Sequence, residues 1–474
     1  MAVKESPKES LKALIVNTSD TEGGAARAAF RLHQGLHQRR LSGSGATKVD
    51  AQMLVQAKQS DDRNVLGTSA ASGLGRAATG LKLTLDQLPL KRYPQHDGTK
   101  FSSQWIPDRV TRTVKQINPD VINLHWINNG YLKIETLARW QKPIVWTLHD
   151  MWPFTGGCHY DQNCDRYTQS CGACPQLGSS NNRDLSSRIW NRKQKTFQKA
   201  FHTQPLTVVA PSQWLADCAR KSTLFQDYRV ECIPNGINTT VYRPFNKRFA
   251  REALKLPQDK QLILFGSLRA TSDNRKGFHF LQSALQKLST QPHSATGEKP
   301  LRDTVELVVF GASTPETVPD FGFKTHYLGS FSDDLSLSLV YSAADMFILP
   351  SIQENLANTI LEAMACGLPC AAFNIGGMPD MICHKETGYL ATPYETDDLA
   401  KGIDYILTQT ATSNKLSDQA VRRVSEHFSL ELQAHRYADL FEQVSDFSQS
   451  NQQHNQLTNR RRNYPQKHPI AHEN

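Results

Sequence analysis

No apolar run in these 474 residues is long enough to cross a membrane. The polar start, Met1 to Ser10, and the short apolar piece Ala13 to Val16 do not make the core of a secretory signal, so the expectation is a cytoplasmic chain. No aromatic-interleaved basic motif argues for a nucleic-acid partner, despite a formal net charge of +9. About a third of that excess lies in residues 448–474, where Arg460, Arg461, Arg462 and Lys467 face Glu473 alone. This Gln/Asn-rich stretch is expected to be a disordered basic tail. With 39% apolar and 21% charged residues the chain otherwise reads as globular, and it is too long for one core, so two domains are expected.

Short apolar runs alternate with helical patterns throughout. Ala13 to Asn17 reads as a buried strand followed by Gly23-Gly24 and a helix, a layout that brings a backbone loop close to phosphate. Val121 to His125 and Pro143 to Leu148 read as further strands, the second ending at His149-Asp150, and ligands of parallel sheets sit beyond such strand ends. Residues 58–105 show no clear period. In the second half, Met346 to Leu349 reads as a strand, and a helix follows with Ile360, Leu361, Met364 and Ala365 on one face. Glu354 lies in the intervening loop and Glu362 within the helix. Two carboxylates beside a row of free backbone N–H groups suit a ligand carrying both hydroxyls and phosphates. The run Arg188 to Lys199, with Ile189, Trp190 and Phe197, reads either as a solvated helix face or as a helix lying on an anionic membrane surface.

Nine cysteines are present, and Cys158, Cys164, Cys171 and Cys174 fall in one short segment. Their spacing leaves three alternatives: a structural zinc, reduced structural thiols, or disulfides, the last disfavoured in a reducing cytosol. Cys218, Cys232, Cys366, Cys370 and Cys383 read as core residues.

Taken in order, Gly23-Gly24, His149, Pro234-Asn235-Gly236, Gly266 to Arg269, Lys276-Gly277, the pair Glu354/Glu362, Gly376-Gly377 and Gly388 to Leu390 resemble glycosyltransferase family 4 (group 1). Asn355 after the first Glu, and Thr147 to Cys158, resemble its exopolysaccharide-type subgroup. The resemblance implies a GT-B fold, in which two doubly wound Rossmann-like α/β domains face each other across a cleft. Residues 1–245 would bind acceptor and 246–430 donor, with 431–447 a helix crossing back. It implies a retaining transferase moving a sugar from a nucleotide-diphospho-sugar to a glycan or lipid-linked acceptor in cell-surface polysaccharide synthesis, without a catalytic metal. Arg269 and Lys276 would meet the diphosphate, helped by Thr359 and by backbone N–H groups of Gly23, Gly24, Asn355, Leu356 and Ala357. Glu362 would take the ribose hydroxyls, Glu354 the sugar, and His149 would support the transition state, with Asp150 orienting it or binding acceptor. The rival readings are a sugar-nucleotide epimerase or phosphorylase of the same fold and a non-catalytic sugar-nucleotide-binding scaffold.

Overall fold

The computed structural model describes residues 10–42, 48–68, 73–202, 204–266, 274–292, 300–311, 319–331 and 333–463. Among them, seven parallel strands form a first sheet: β1 (Leu11–Ser19), β2 (Val49–Ala57), β3 (Val65–Gly67), β4 (Val121–Leu124), β5 (Ile144–Thr147), β6 (Leu206–Ala210) and β7 (Arg229–Cys232). Their order is β3-β2-β1-β4-β5-β6-β7. Six more form a second parallel sheet: β8 (Gln261–Gly266), β9 (Val305–Phe310), β10 (Thr325–Tyr327), β11 (Met346–Leu349), β12 (Cys370–Phe373) and β13 (Gly388–Ala391), ordered β10-β9-β8-β11-β12-β13. Strands such as Val121–Leu124 and Met346–Leu349 are apolar at nearly every position because helices cover both sheet faces. Each order reverses once, between β1 and β4 and between β8 and β11. Such reversals open a crevice at the strand C-termini where ligands bind.

The chain crosses between the domains twice at one place. There Ile237 and Ser429 pair in an isolated bridge, with Ile237 N–H donating to Phe428 O at 2.8 Å and Leu430 N–H to Ile237 O at 2.9 Å. The closing helix Leu430–Asn463 then returns to the first domain. Ala434, Tyr437, Leu440, Phe441 and Val444 join the core formed by Ile15, Leu32, Leu36 and Met53. The expected disordered tail from residue 448 gives way to helix as far as Asn463. No Gly or Pro interrupts this stretch, and its Gln and Arg residues are good helix formers. Residues 464–474 lie outside the described residues.

The segment 58–105, unreadable by period, contains β3, a helix at Gly73–Gln87 and a 3₁₀ turn at Leu88–Arg92. The basic helix Leu185–Phe201 is neither a fully solvated face nor a free amphipathic one. Ile189, Trp190 and Phe197 are buried in the first core, Lys193 is fully buried, and Arg192 holds Glu135 at 2.8 and 3.0 Å. Arg188, Lys195 and Lys199 remain exposed. Of the cysteines expected in the core, Cys218, Cys366 and Cys370 are buried, whereas Cys232 and Cys383 are half-buried.

Phe441→Ala is expected to lower stability by about 3–5 kcal/mol, because it removes a fully buried ring that joins the closing helix to the first sheet. Chemical denaturation checks this; an unchanged midpoint would mean that the helix does not dock.

Candidate functional site

The two crevices face each other. From the second domain, the loop after β11 carries Gln353, Glu354 and Asn355 into the cleft. The neighbouring turn can lie against it only because it is Gly376-Gly377: a Cβ on either glycine would come within 1.9 Å of the carbonyl oxygen of Glu354 or Asn355. Asn355 Oδ1 accepts from Ser212 Oγ at 2.7 Å, and its Nδ2 donates to the His149 carbonyl at 3.3 Å, both across the domain boundary. Asn355 is therefore an interdomain brace. Asp161 Oδ1 accepts from Gln353 Nε2 at 3.0 Å, and the Arg275 guanidinium lies 4.8 Å from the centre of the Tyr160 ring.

Glu354 Oε2 accepts from Lys276 Nζ at 2.6 Å and from Arg275 Nη1 at 3.4 Å. Burial pushes this carboxyl up, but the two cations outweigh it and hold it below the ordinary range, so it is ionised at neutral pH. Arg269 lies outside the described residues.

The helix Asn358–Ala365 starts against the first domain. Asn358 Nδ2 donates to Gly24 O at 3.0 Å, and Asn358 Oδ1 accepts from Asn235 at 3.1 Å. Gly23-Gly24 and Pro234-Asn235-Gly236 thus meet the start of this helix. The side chains of Leu356 and Ala357 are buried in the second core, so they face the cleft through backbone alone, and Thr359 is half-buried on the first turn. Each Glu362 oxygen has a protein partner: Oε1 accepts from Arg31 Nη2 at 2.8 Å and Oε2 from Tyr341 OH at 2.9 Å. Burial works against the Arg31 charge, yet Glu362, Tyr242 and Asp334 together raise its pKa above the usual range.

His149 ends β5 and stacks on His125, which ends β4; the rings are 5.2 Å apart and His149 Nε2 lies 2.9 Å from His125 Nδ1. The surrounding bonds fix the protons. Asn123 Nδ2 donates to Val145 O and Thr147 Oγ1, so its Oδ1 accepts from His125 Nε2 at 2.8 Å. Burial, with His149 adding to it, holds the His125 pKa well below its ordinary value, so His125 is neutral. His125 then presents a bare Nδ1 that must accept from His149 Nε2–H. Burial pushes His149 down to about 4, so it too is neutral, and its Nδ1 is left as an acceptor. Asp150 does not orient His149. Its Oδ2 accepts from His159 Nδ1 at 2.6 Å and Trp126 Nε1 at 2.9 Å, and its Oδ1 from Trp152 N–H at 2.9 Å. The strand-end turn directs Asp150 into the loop that follows.

Sequence reading missed Arg31, His125 and Arg275. Two left a trace, a second histidine at an adjacent strand end and a cation next to Lys276; Arg31 is one of four arginines in the helix Gly24–Ser42 and left none. A cavity of about 440 Å³ lined by Lys12, Asp50 and Thr113 lies at the opposite edge of the first sheet, at the N-terminal ends of β1 and β2, where such sheets do not bind ligands.

Residues 246–423 match the family described as Glycosyl transferases group 1, and residues 60–241 match Glycosyltransferase Family 4. The chain belongs to the group 1 (family 4) glycosyltransferases. It is 26% identical over 346 residues to a D-inositol 3-phosphate glycosyltransferase of Streptosporangium roseum, an alignment covering 70% of this chain and 72% of that protein. It is 25% identical to the putative colanic acid biosynthesis glycosyl transferase WcaC of Escherichia coli, covering 56% of this chain and 61% of WcaC. The fold resembles Anabaena Alr3699/HepE, solved in complex with UDP-glucose, with a TM-score of 0.58, 17% identity and coverage of 91% of this chain and all of that one (100%). The architecture of this glycosyltransferase is GT-B. Among its described residues no helix is long and apolar enough to cross a membrane.

The neutral histidine pair makes stability depend on pH. His149 has a folded pKa of about 4 against an ordinary 6.5, so as pH falls the unfolded chain takes up its proton first. The contribution is intact above about 6.5 and is lost as pH falls toward about 4. Urea midpoints measured from pH 7 to pH 4 are expected to fall, and His149→Gln should flatten the slope; equal slopes would contradict the assignment.

Proposed function

We propose that this glycosyltransferase moves a sugar from a nucleotide-diphospho-sugar to a glycan or lipid-linked acceptor, with retention of configuration, in cell-surface polysaccharide synthesis. The observation that carries the reading is the ionised Glu354, held by Lys276 and Arg275 on one crevice, with the neutral His149 on the facing one. An ionised Glu354 is no general acid. It accepts from hydroxyls of the donor sugar and stabilises positive charge growing at the anomeric carbon. Lys276, Arg269 and the amides at the start of the helix Asn358–Ala365 meet the leaving diphosphate, which replaces the charge a metal would supply. The leaving phosphate then serves as base on the same face as the attacking hydroxyl. His149, with its N–H engaged by His125, accepts from a sugar hydroxyl through Nδ1.

Glu362 has spare lone pairs for ribose hydroxyls, but with a side chain 3% exposed it can offer them only when the domains part. We therefore place cleft opening before donor entry, with closure re-forming the Arg31 contact around the bound nucleotide. Arg188, Lys195 and Lys199 form the exposed cationic face that would rest on an anionic membrane bearing a lipid-linked acceptor. The relation to WcaC, by its name a colanic acid enzyme, supports the polysaccharide role.

A panel of UDP-, GDP- and ADP-sugars should raise the unfolding temperature for one base class, and transfer should proceed without added divalent metal. Glu354→Gln is expected to lower kcat by about 100-fold or more. Turnover of a sugar nucleotide with no acceptor would point to an epimerase, and unchanged glycan synthesis with Glu354→Gln to a scaffold.

A further inference from the structure

Away from the cleft, Cys158, Cys164, Cys171 and Cys174 all line one small void, together with Phe101 and Arg166. Its volume of about 10 Å³ is the room of a single ion or water. All four thiols are free of disulfides. Backbone donors converge on the sulfurs: Gly156 N–H on Cys171 at 3.1 Å, Arg166 N–H on Cys164, and the Gln176 and Leu177 N–H groups on Cys174. Burial is the larger influence and pushes all four thiols above their ordinary range, with these amides partly opposing it at Cys164, Cys171 and Cys174.

Beside this cluster lies one buried lysine, whose pKa burial pushes down to about 7 while negative charge on the neighbouring sulfurs would raise it. Lys193 is 0% exposed. It donates to the carbonyls of Trp152 and Thr155, and its ammonium sits 3.7 Å from the centre of the Trp152 ring. It forms no ion pair with a carboxylate among the described residues. Cys171 and Cys158 are foremost among the groups able to carry negative charge that act on it. Four thiolates around one divalent ion carry a net charge of about −2 and would compensate it.

We propose that Cys158, Cys164, Cys171 and Cys174 form a tetrathiolate site for one zinc ion. A sulfur-only tetrahedral set selects zinc or iron–sulfur centres, and a void of one ion's size has no room for a cluster. The four thiols line one void, but among the described residues no three metal-ligating side chains stand at coordination spacing, so holding the ion requires these thiols to draw together. Binding releases the thiol protons and involves no redox step. The site's position gives it a purpose. It ties down the loop from which Tyr160 and Asp161 reach Arg275 and Gln353, so it stiffens one wall of the cleft without touching Glu354 or His149.

The test is elemental analysis of the full chain purified under reducing conditions without chelator. About one zinc per chain is expected. Titration with a mercurial reagent should release that zinc, and the release should be accompanied by a lower unfolding temperature. Cys171→Ser and Cys174→Ser should each lose the metal. Because those variants can also misfold, cobalt is exchanged into the unaltered chain, where a tetrahedral, sulfur-to-cobalt spectrum is expected. A folded chain with no stoichiometric zinc, with iron in its place, or with two disulfides among these cysteines would overturn the proposal.

Discussion

The buried ion pair of Arg31 and Glu362 is the contact on which the closed cleft depends. Arg31 comes from the first helix of one domain and Glu362 from the helix Asn358–Ala365 of the other, with side chains 6% and 3% exposed. Burying either charge alone would cost several kcal/mol, so neither is tolerable without the other. Further hydrogen bonds surround the pair: Arg31 donates to Tyr242 OH at 3.0 Å, Tyr242 OH donates to Asp334 at 2.8 Å, and Tyr341 OH donates to Glu362. With that pair made, the rest of the interface follows. The helix start abuts Gly24 and Asn235, Asn355 reaches Ser212 and the His149 carbonyl, and Glu354 with its two cations faces the end of β5.

The histidine pair is set by a different part of the chain. Tyr437 of the closing helix bonds Thr147 at 2.9 Å; Thr147 accepts from Asn123, and Asn123 fixes His125, which fixes His149. Tyr437, 290 positions along the chain from Thr147, thereby joins the same hydrogen-bonded chain as His149. The return of the closing helix thus reaches the cleft chemically as well as by packing. Burial keeps the strand-end histidine neutral, and the relay holds its ring in one orientation.

Much of this was legible in the sequence, and the reason is local. Strand, Gly-rich turn and helix are short-range patterns, so the two parallel sheets, the positions of Glu354 and His149, and the family resemblance could be read from adjacent residues. What escaped was set by long-range pairing. Arg31 and Glu362 are 331 residues apart, and nothing near Glu362 announces that its oxygens are already taken. The basic helix Leu185–Phe201 misled because charge counting does not reveal that Lys193 turns inward toward carbonyls and thiols. Asp150 seemed tied to His149 by adjacency, but successive side chains at a strand end point to opposite sides, and Asp150 serves His159 instead.

The central claim is that Arg31 and Glu362 act as one unit across the domain boundary, and a double-mutant cycle in unfolding free energy tests it most directly. Arg31→Met and Glu362→Gln should each be strongly destabilising, and the double substitution should cost far less than their sum, with a coupling of at least about 2 kcal/mol. Additive losses, with a coupling near zero, would contradict the account.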